Sequence, residues 1–296
     1  MDRCKLQDLV LLSYMQQPGM ETVGVIGLGI IGSRVAQCLR DADYHVYVWN
    51  RSPKSEPNFV ASPGEIAKLA KRIQIFVANG EALVEVVRAM AGDLTSEHVV
   101  INNCTADPES VVEAYQIAKE AGARFLDAPF TGSKEAAAQG ALVYYVGGDS
   151  KVLERVAGIL EVSSKQVLPV GRVGEATVLK IATNMISAAT VEVLSEAYGL
   201  VKAAGMDPDR LRLAVENNAC GSTLTSMKLP SIIEGDYDTH FSLKHMFKDA
   251  QYALSLAKDL QVDLPALSTT ANVMYRTMKE GHSDADYSVV ARRFQK

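Results

Sequence analysis

Lys180 stands among apolar residues, flanked by Val178, Leu179 and Ile181, and Asn184 follows at the spacing that shares one face of a helix. An ammonium among such neighbours is costly to desolvate unless it faces a crevice, and burial lowers its pKa toward a useful acid/base range. The pair therefore offers a general acid/base with an amide beside it. A surface lysine laying its stem along the helix would have the same neighbours in sequence, so the assignment depends on what else the chain carries.

A second candidate is Val25-Ile26-Gly27-Leu28-Gly29-Ile30-Ile31-Gly32, a G-x-G-x-x-G that leaves an apolar strand and enters an apolar helix. Gly27 can make the tight turn, Gly29 lets backbone approach a pyrophosphate, and Gly32 permits close helix packing, with helix N–H groups aimed at the anion. The following strand ends at Asn50-Arg51-Ser52, where an NAD-selective site carries Asp or Glu for the ribose hydroxyls. No carboxylate is there. Arg51 can make charge-assisted contacts with a 2′-phosphate, Asn50 and Ser52 can add hydrogen bonds, and Lys54 lies in the same loop. This predicts NADP (NADPH) as cofactor; the alternative is Arg51 as a solvated loop charge or stacked on adenine. Further on, Thr131-Gly132-Ser133 offers backbone N–H groups and hydroxyls suited to a substrate carboxylate, although proline and glycine there could simply mark a loop.

The elements that must position these residues are legible as a pattern. From Glu21 to about Gly171, short apolar runs alternate with helical stretches, which predicts an α/β domain with a parallel sheet. Strands are predicted at Thr22 to Ile26, His45 to Trp49, Gln74 to Ala78, His98 to Asn102, Arg124 to Asp127, Leu142 to Val146 and Gln166 to Val170. From Glu175 to Ala204 apolar residues recur at helical spacing, predicting one helix of up to about thirty residues, roughly 45 Å long. Helices are also predicted at Asp207 to Asn217, Ser242 to Leu260 and Ala266 to Glu280. The expected organisation is a flexible N-terminal extension (1–19), a cofactor domain (20–180) and an all-helical substrate and oligomerisation domain (181–296). The crevice between the last two is the expected site.

The 296 residues are 48% hydrophobic and 22% charged, the balance of a soluble globular protein of about two domains. A net charge of -5 gives no attraction to phosphate backbones, so nucleic acid is not an expected partner. The 4 cysteines form no C-x-x-C pair, and the 5 histidines form no ligand motif; a reduced cytoplasmic setting and no metal are expected. Leu9 to Leu12 is too short for a signal-peptide core, no run is read as approaching bilayer length, and no membrane partner is expected.

Four motifs in order resemble the β-hydroxyacid dehydrogenase family, which includes 3-hydroxyisobutyrate dehydrogenase and the glyoxylate and succinic semialdehyde reductases. They are Gly27 to Gly32; Asp127-Ala128-Pro129-Phe130-Thr131-Gly132 with Gly140; Gly171-Arg172-Val173-Gly174 followed by Lys180 and Asn184; and Phe241 followed by Lys248-Asp249. The resemblance spans about residues 21 to 290. It implies a Rossmann-type domain, a long connecting helix and an all-α C-terminal domain, assembled as a homodimer or homotetramer. It also implies Lys180 as the catalytic acid/base with Asn184 orienting substrate or lysine, and Thr131, Gly132, Ser133, Phe241 and Asp249 about a small carboxylate substrate. Gly27, Leu28, Gly29, Ile30, Ile31, Asn50, Arg51, Ser52, Ala78, Asn79, Thr105 and Lys248 would meet the cofactor. Asn50-Arg51-Ser52 and the Thr131 turn look closest to the NADPH-preferring glyoxylate/succinic semialdehyde reductase branch. Thr131 stands where many members have Ser, and Cys104 replaces a serine before Thr105; Cys104 is read as an inert strand-end thiol. The alternatives are a 3-hydroxy acid dehydrogenase working oxidatively and, from another class, a non-catalytic dinucleotide sensor.

Overall fold

The computed structural model describes residues 21–295, so the expected N-terminal extension lies outside the described residues. The chain forms two compact units that part between Thr177 and Val178, inside the helix Glu175–Ala203. Among the described residues, the first unit holds eight strands: β1 (Thr22–Ile26), β2 (His45–Trp49), β3 (Arg72–Ile75), β4 (Val99–Asn102), β5 (Arg124–Asp127), β6 (Phe130–Thr131), β7 (Leu142–Gly147) and β8 (Ser164–Gly171). Their order is β2-β1-β3-β4-β5-β7-β6, with β8 also on β7. β1 to β5 pair in parallel, whereas β7 runs antiparallel to β5 and β6.

Helices cover both faces of this sheet, so its central strands are buried on both sides rather than alternating between core and solvent; all four residues of β4 are buried. On one face Val23, Val25 and Leu126 pack with Val35, Ala36 and Leu39 of helix Gly32–Asp41. On the other, Ile26, Ile73, Ile75 and Val100 pack with Leu83, Val87 and Met90 of helix Gly80–Met90 and with Val111 and Ala114 of helix Pro108–Glu120. Each such Val, Leu, Ile or Met side chain contributes about 1.5–3 kcal/mol by leaving water. Because β2 and β3 lie on opposite sides of β1, the strand order reverses there, opening a crevice at the carboxyl ends. The glycine turn sits at that point.

The second unit continues the long helix and adds helices Asp209–Glu216, Thr223–Glu234, Leu243–Asp259 and Pro265–Thr277, closed by a 3-10 segment Tyr287–Phe294. Val191, Leu194, Tyr198, Leu229, Ile232, Met246 and Met274 form its core.

Three expectations need correction. β3 begins at Arg72, two residues earlier than predicted, because Arg72 pairs with both Val23 and Val99 and the polar Gln74 is fully buried between β1 and β4. Helix Thr223–Glu234 was not anticipated: Pro230 lies inside it, but a capping box of Ser222 and Thr225 starts it and Gly235, at φ +72°, ends it. Finally, Glu175–Ala203 is long and apolar enough to cross a membrane, with 29 residues and a mean hydropathy of 1.3 over its most apolar window. One face of it packs into the helical core through Ala188, Val191, Leu194 and Tyr198, and it carries buried Lys180, Asn184 and Glu192. Those features are what a core helix shows, while Ile186, Val193 and Leu200, seven residues apart, remain 61%, 58% and 73% exposed.

Candidate functional site

In the first unit, Gly27 leaves β1 at φ +93°, and a Cβ there would lie 2.1 Å from the carbonyl oxygen of Phe76. At Gly32 a Cβ would meet the Gly27 oxygen at 2.0 Å, whereas at Gly29 it would meet nothing within 4 Å. The turn is thus closed on its protein side and open at Gly29, with Ile30 also exposed. Helix Gly32–Asp41 starts without a side-chain cap or an acidic residue in its first turn. Its N-terminal dipole therefore remains available to an anion, and the donor set fits a dinucleotide pyrophosphate.

The loop after β2 is tied to this turn. Asn50 Oδ1 accepts the Leu28 N–H at 2.9 Å and Asn50 Nδ2 donates to the Ser52 carbonyl at 2.8 Å. Lys54 Nζ donates to the Leu28 carbonyl. Arg51 and Ser52 are exposed beside these contacts. Asn50, read as a cofactor contact, here spends its amide on the turn itself.

The remaining predicted residues of this unit have varied settings. Ala78 is exposed past β3, and Asn79 Oδ1 caps helix Gly80–Met90 by accepting the Ala82 N–H at 3.0 Å. Thr105 is half-buried beyond β4, next to Cys104, whose buried thiol donates to Asn102 Oδ1 at 2.8 Å. Thr131 pairs with Val143, and Gly132 takes φ +139°. Ser133 Oγ accepts the Ala136 N–H at 3.2 Å, leaving its own proton to donate.

The second unit brings four of the predicted residues together. Lys180 Nζ donates to Asn184 Oδ1 at 2.9 Å, and Asn184 Nδ2 donates to Asp249 Oδ2 at 2.6 Å. Lys248 Nζ lies 2.8 Å from Asp249 Oδ1 and 4.6 Å from the centre of the Tyr252 ring. Lys180 and Asn184 come from one face of the long helix, Lys248 and Asp249 from helix Leu243–Asp259. Burial pushes the Lys180 ammonium down to about 8, with the Asp249 charge opposing and the Lys248 charge assisting. The result is a lysine able to give or take a proton near neutral pH. Phe241 has a different setting: its N–H donates to Asp286 Oδ2 at 3.1 Å and its ring packs edge-on to Tyr287.

Two polar knots carried no predicted role. Asp127, at the end of β5, accepts from Gly174 N at 3.1 Å, Thr177 N at 2.9 Å, Thr177 Oγ1 at 2.8 Å and Asn102 Nδ2 at 3.2 Å, fastening the start of the long helix to the sheet. Its signals in the sequence were its place at a strand end and at the head of the Asp127-to-Gly132 motif, neither of which names its partners. Asp286 binds buried Lys228 at 2.7 Å and accepts the N–H groups of His240 and Phe241. Its partners are distant in sequence, so no local motif announces it.

Residues 22–171 match the family model described as the NAD binding domain of 6-phosphogluconate dehydrogenase, and residues 174–294 that of NAD-binding of NADP-dependent 3-hydroxyisobutyrate dehydrogenase. The chloroplastic glyoxylate/succinic semialdehyde reductase 2 of Arabidopsis thaliana is 32% identical over 289 residues, covering 94% of this chain and 80% of that protein. The cytokine-like nuclear factor N-PAC of Anopheles gambiae is 28% identical over 92% of this chain, which spans 50% of that longer protein. Among solved structures, the 3-hydroxyisobutyrate dehydrogenase of Mycobacterium tuberculosis with L-serine superposes with a TM-score of 0.86 at 22% identity, covering 94% of this chain and 100% of that one.

Proposed function

The chain belongs to the β-hydroxyacid dehydrogenase family of nicotinamide-dinucleotide oxidoreductases, and on that premise we propose that it is an NADPH-dependent reductase of a small carboxylate-bearing aldehyde or keto acid, of the glyoxylate or succinic semialdehyde type. The observation that carries this reading is the chain Lys180–Asn184–Asp249–Lys248, in which a buried lysine is held at about 8 by burial against a nearby carboxylate. When bound, the dinucleotide supplies the hydride. Lys180 gives its proton to the substrate oxygen as charge develops there, and Asn184, accepting from Nζ, directs the ammonium. Asp249 holds Asn184 by its amide and offsets part of the desolvation of Lys180. Thr131, Gly132 and Ser133 hold the substrate carboxylate through hydroxyl and backbone donors. The glycine turn takes the pyrophosphate, and Arg51 selects the 2′-phosphate.

Above about pH 8 the neutral amine of Lys180 is a base, so oxidation of a 3-hydroxy acid is the reverse use of the same residues. The test is steady-state oxidation of NADPH and of NADH with a panel of semialdehydes and keto acids, beside Arg51→Ala. Expected are turnover with a short carboxylate-bearing aldehyde and a preference for NADPH that Arg51→Ala reduces about tenfold or more. Equal use of NADH overturns the cofactor assignment, and tight NADPH binding without turnover across the panel would favour the sensor.

A further inference from the structure

We propose that Asn50, seconded by Lys54, is a positioning residue that locks the glycine turn for the cofactor pyrophosphate, rather than a ligand of the adenosine ribose. This rests on the reading that a dinucleotide binds at the glycine turn. Leu28 lies between Gly27 and Gly29, and both of its backbone polar groups, one in each flanking peptide, are held by side chains from the loop after β2: N–H by Asn50 Oδ1 at 2.9 Å, carbonyl by Lys54 Nζ. Asn50 Nδ2 is itself fixed on the Ser52 carbonyl at 2.8 Å, and the Gly27 N–H donates to the Trp49 carbonyl at 2.8 Å. Leu28 N–H can only donate and Ser52 O can only accept, so the carboxamide has one possible orientation. A glycine-rich turn has many backbone states, and holding it in one before binding removes an ordering cost that the ligand would otherwise bear. The turn serves the pyrophosphate, which NADPH and NADH share, so the effect of Asn50 must be blind to the 2′-phosphate. Arg51, exposed in the same loop, supplies the contrasting case.

The experiment is calorimetric titration of the full chain with NADPH, NADH and 2′-AMP, which carries the 2′-phosphate without a pyrophosphate. Asn50→Ala is expected to weaken NADPH and NADH by the same factor of about three to ten and to leave 2′-AMP unchanged. Lys54→Met gives the same pattern at smaller amplitude, and Arg51→Ala weakens NADPH and 2′-AMP while sparing NADH. Thermal midpoints of the variants without ligand keep the titrations below unfolding; a variant that is destabilised only would bind all three probes normally there, which overturns the inference. A loss in Asn50→Ala confined to NADPH and 2′-AMP also overturns it, making Asn50 a ribose-phosphate ligand. Wild-type protein that binds NADH at least as tightly as NADPH refutes the NADPH reading, and the inference is then decided by the loss of NADH affinity in Asn50→Ala. Wild-type protein that binds neither dinucleotide overturns both.

Discussion

At Lys180, burial and the Lys248 charge favour the neutral amine, and Asp249 favours the ammonium. The carboxylate therefore raises the share of protonated lysine at neutral pH against the larger effect of burial. Removing its charge in Asp249→Asn lets the lysine fall further, so the alkaline limb of carbonyl reduction is expected to move to lower pH. The check is the pH at which kcat halves in wild type and variant; an unmoved limb would detach Asp249 from the lysine. The same residues show what a sequence can carry at this scale. Lys180 and Asn184 are paired by helical spacing alone, and their spacing was legible. That Asn184 joins Lys180 to Asp249, 65 residues away, is a long-range contact that no local spacing encodes. Asn50 was legible as a polar residue in the right loop but not as a clamp, because its partner Leu28 lies 22 residues back.

Among the elements, the long helix is held by Asp127 at its start and contains a buried carboxyl farther along. Glu192 is buried one turn before Glu196, and burial first, then the neighbouring charge and hydrogen bond, push its carboxyl up to about 7. An unfolded glutamate titrates near about 4.3. Between these values the folded chain holds the proton more tightly, so this group's stability is lost as pH rises through about 4 to 7. Glu192→Gln is expected to raise the thermal midpoint by about a few degrees at pH 8 and to change it little at pH 5, as read by scanning calorimetry. An equal effect at both pH values would contradict the shift. The helix was legible because its apolar period runs unbroken. Thr223–Glu234 was not, since Pro230 mimics a stop while the capping box that outweighs it is a matter of side-chain geometry.

Across the whole molecule, alternation of apolar runs and helices exposed the α/β unit and then the helical one, and the glycine turn marked the strand that lies at the sheet's switch point. Strand order and the edges of β3 depend on which strands pair, information that spreads over the chain. With a net charge of -5, the proposed recognition of an anionic cofactor and an anionic substrate would fall to local features, chiefly the open turn at Gly29, Arg51 and the Thr131 loop. Proton transfer by Lys180 is the central claim. Its most direct test is kcat for reduction of glyoxylate or succinic semialdehyde across about pH 6 to 10, in wild type and Lys180→Met, with NADPH affinity measured alongside. Wild type is expected to lose activity with one ionisation near about 8. Lys180→Met is expected to lose roughly 10²–10⁴ in kcat together with that limb, while still binding NADPH. A variant that turns over at the wild-type rate with the same alkaline limb would contradict it.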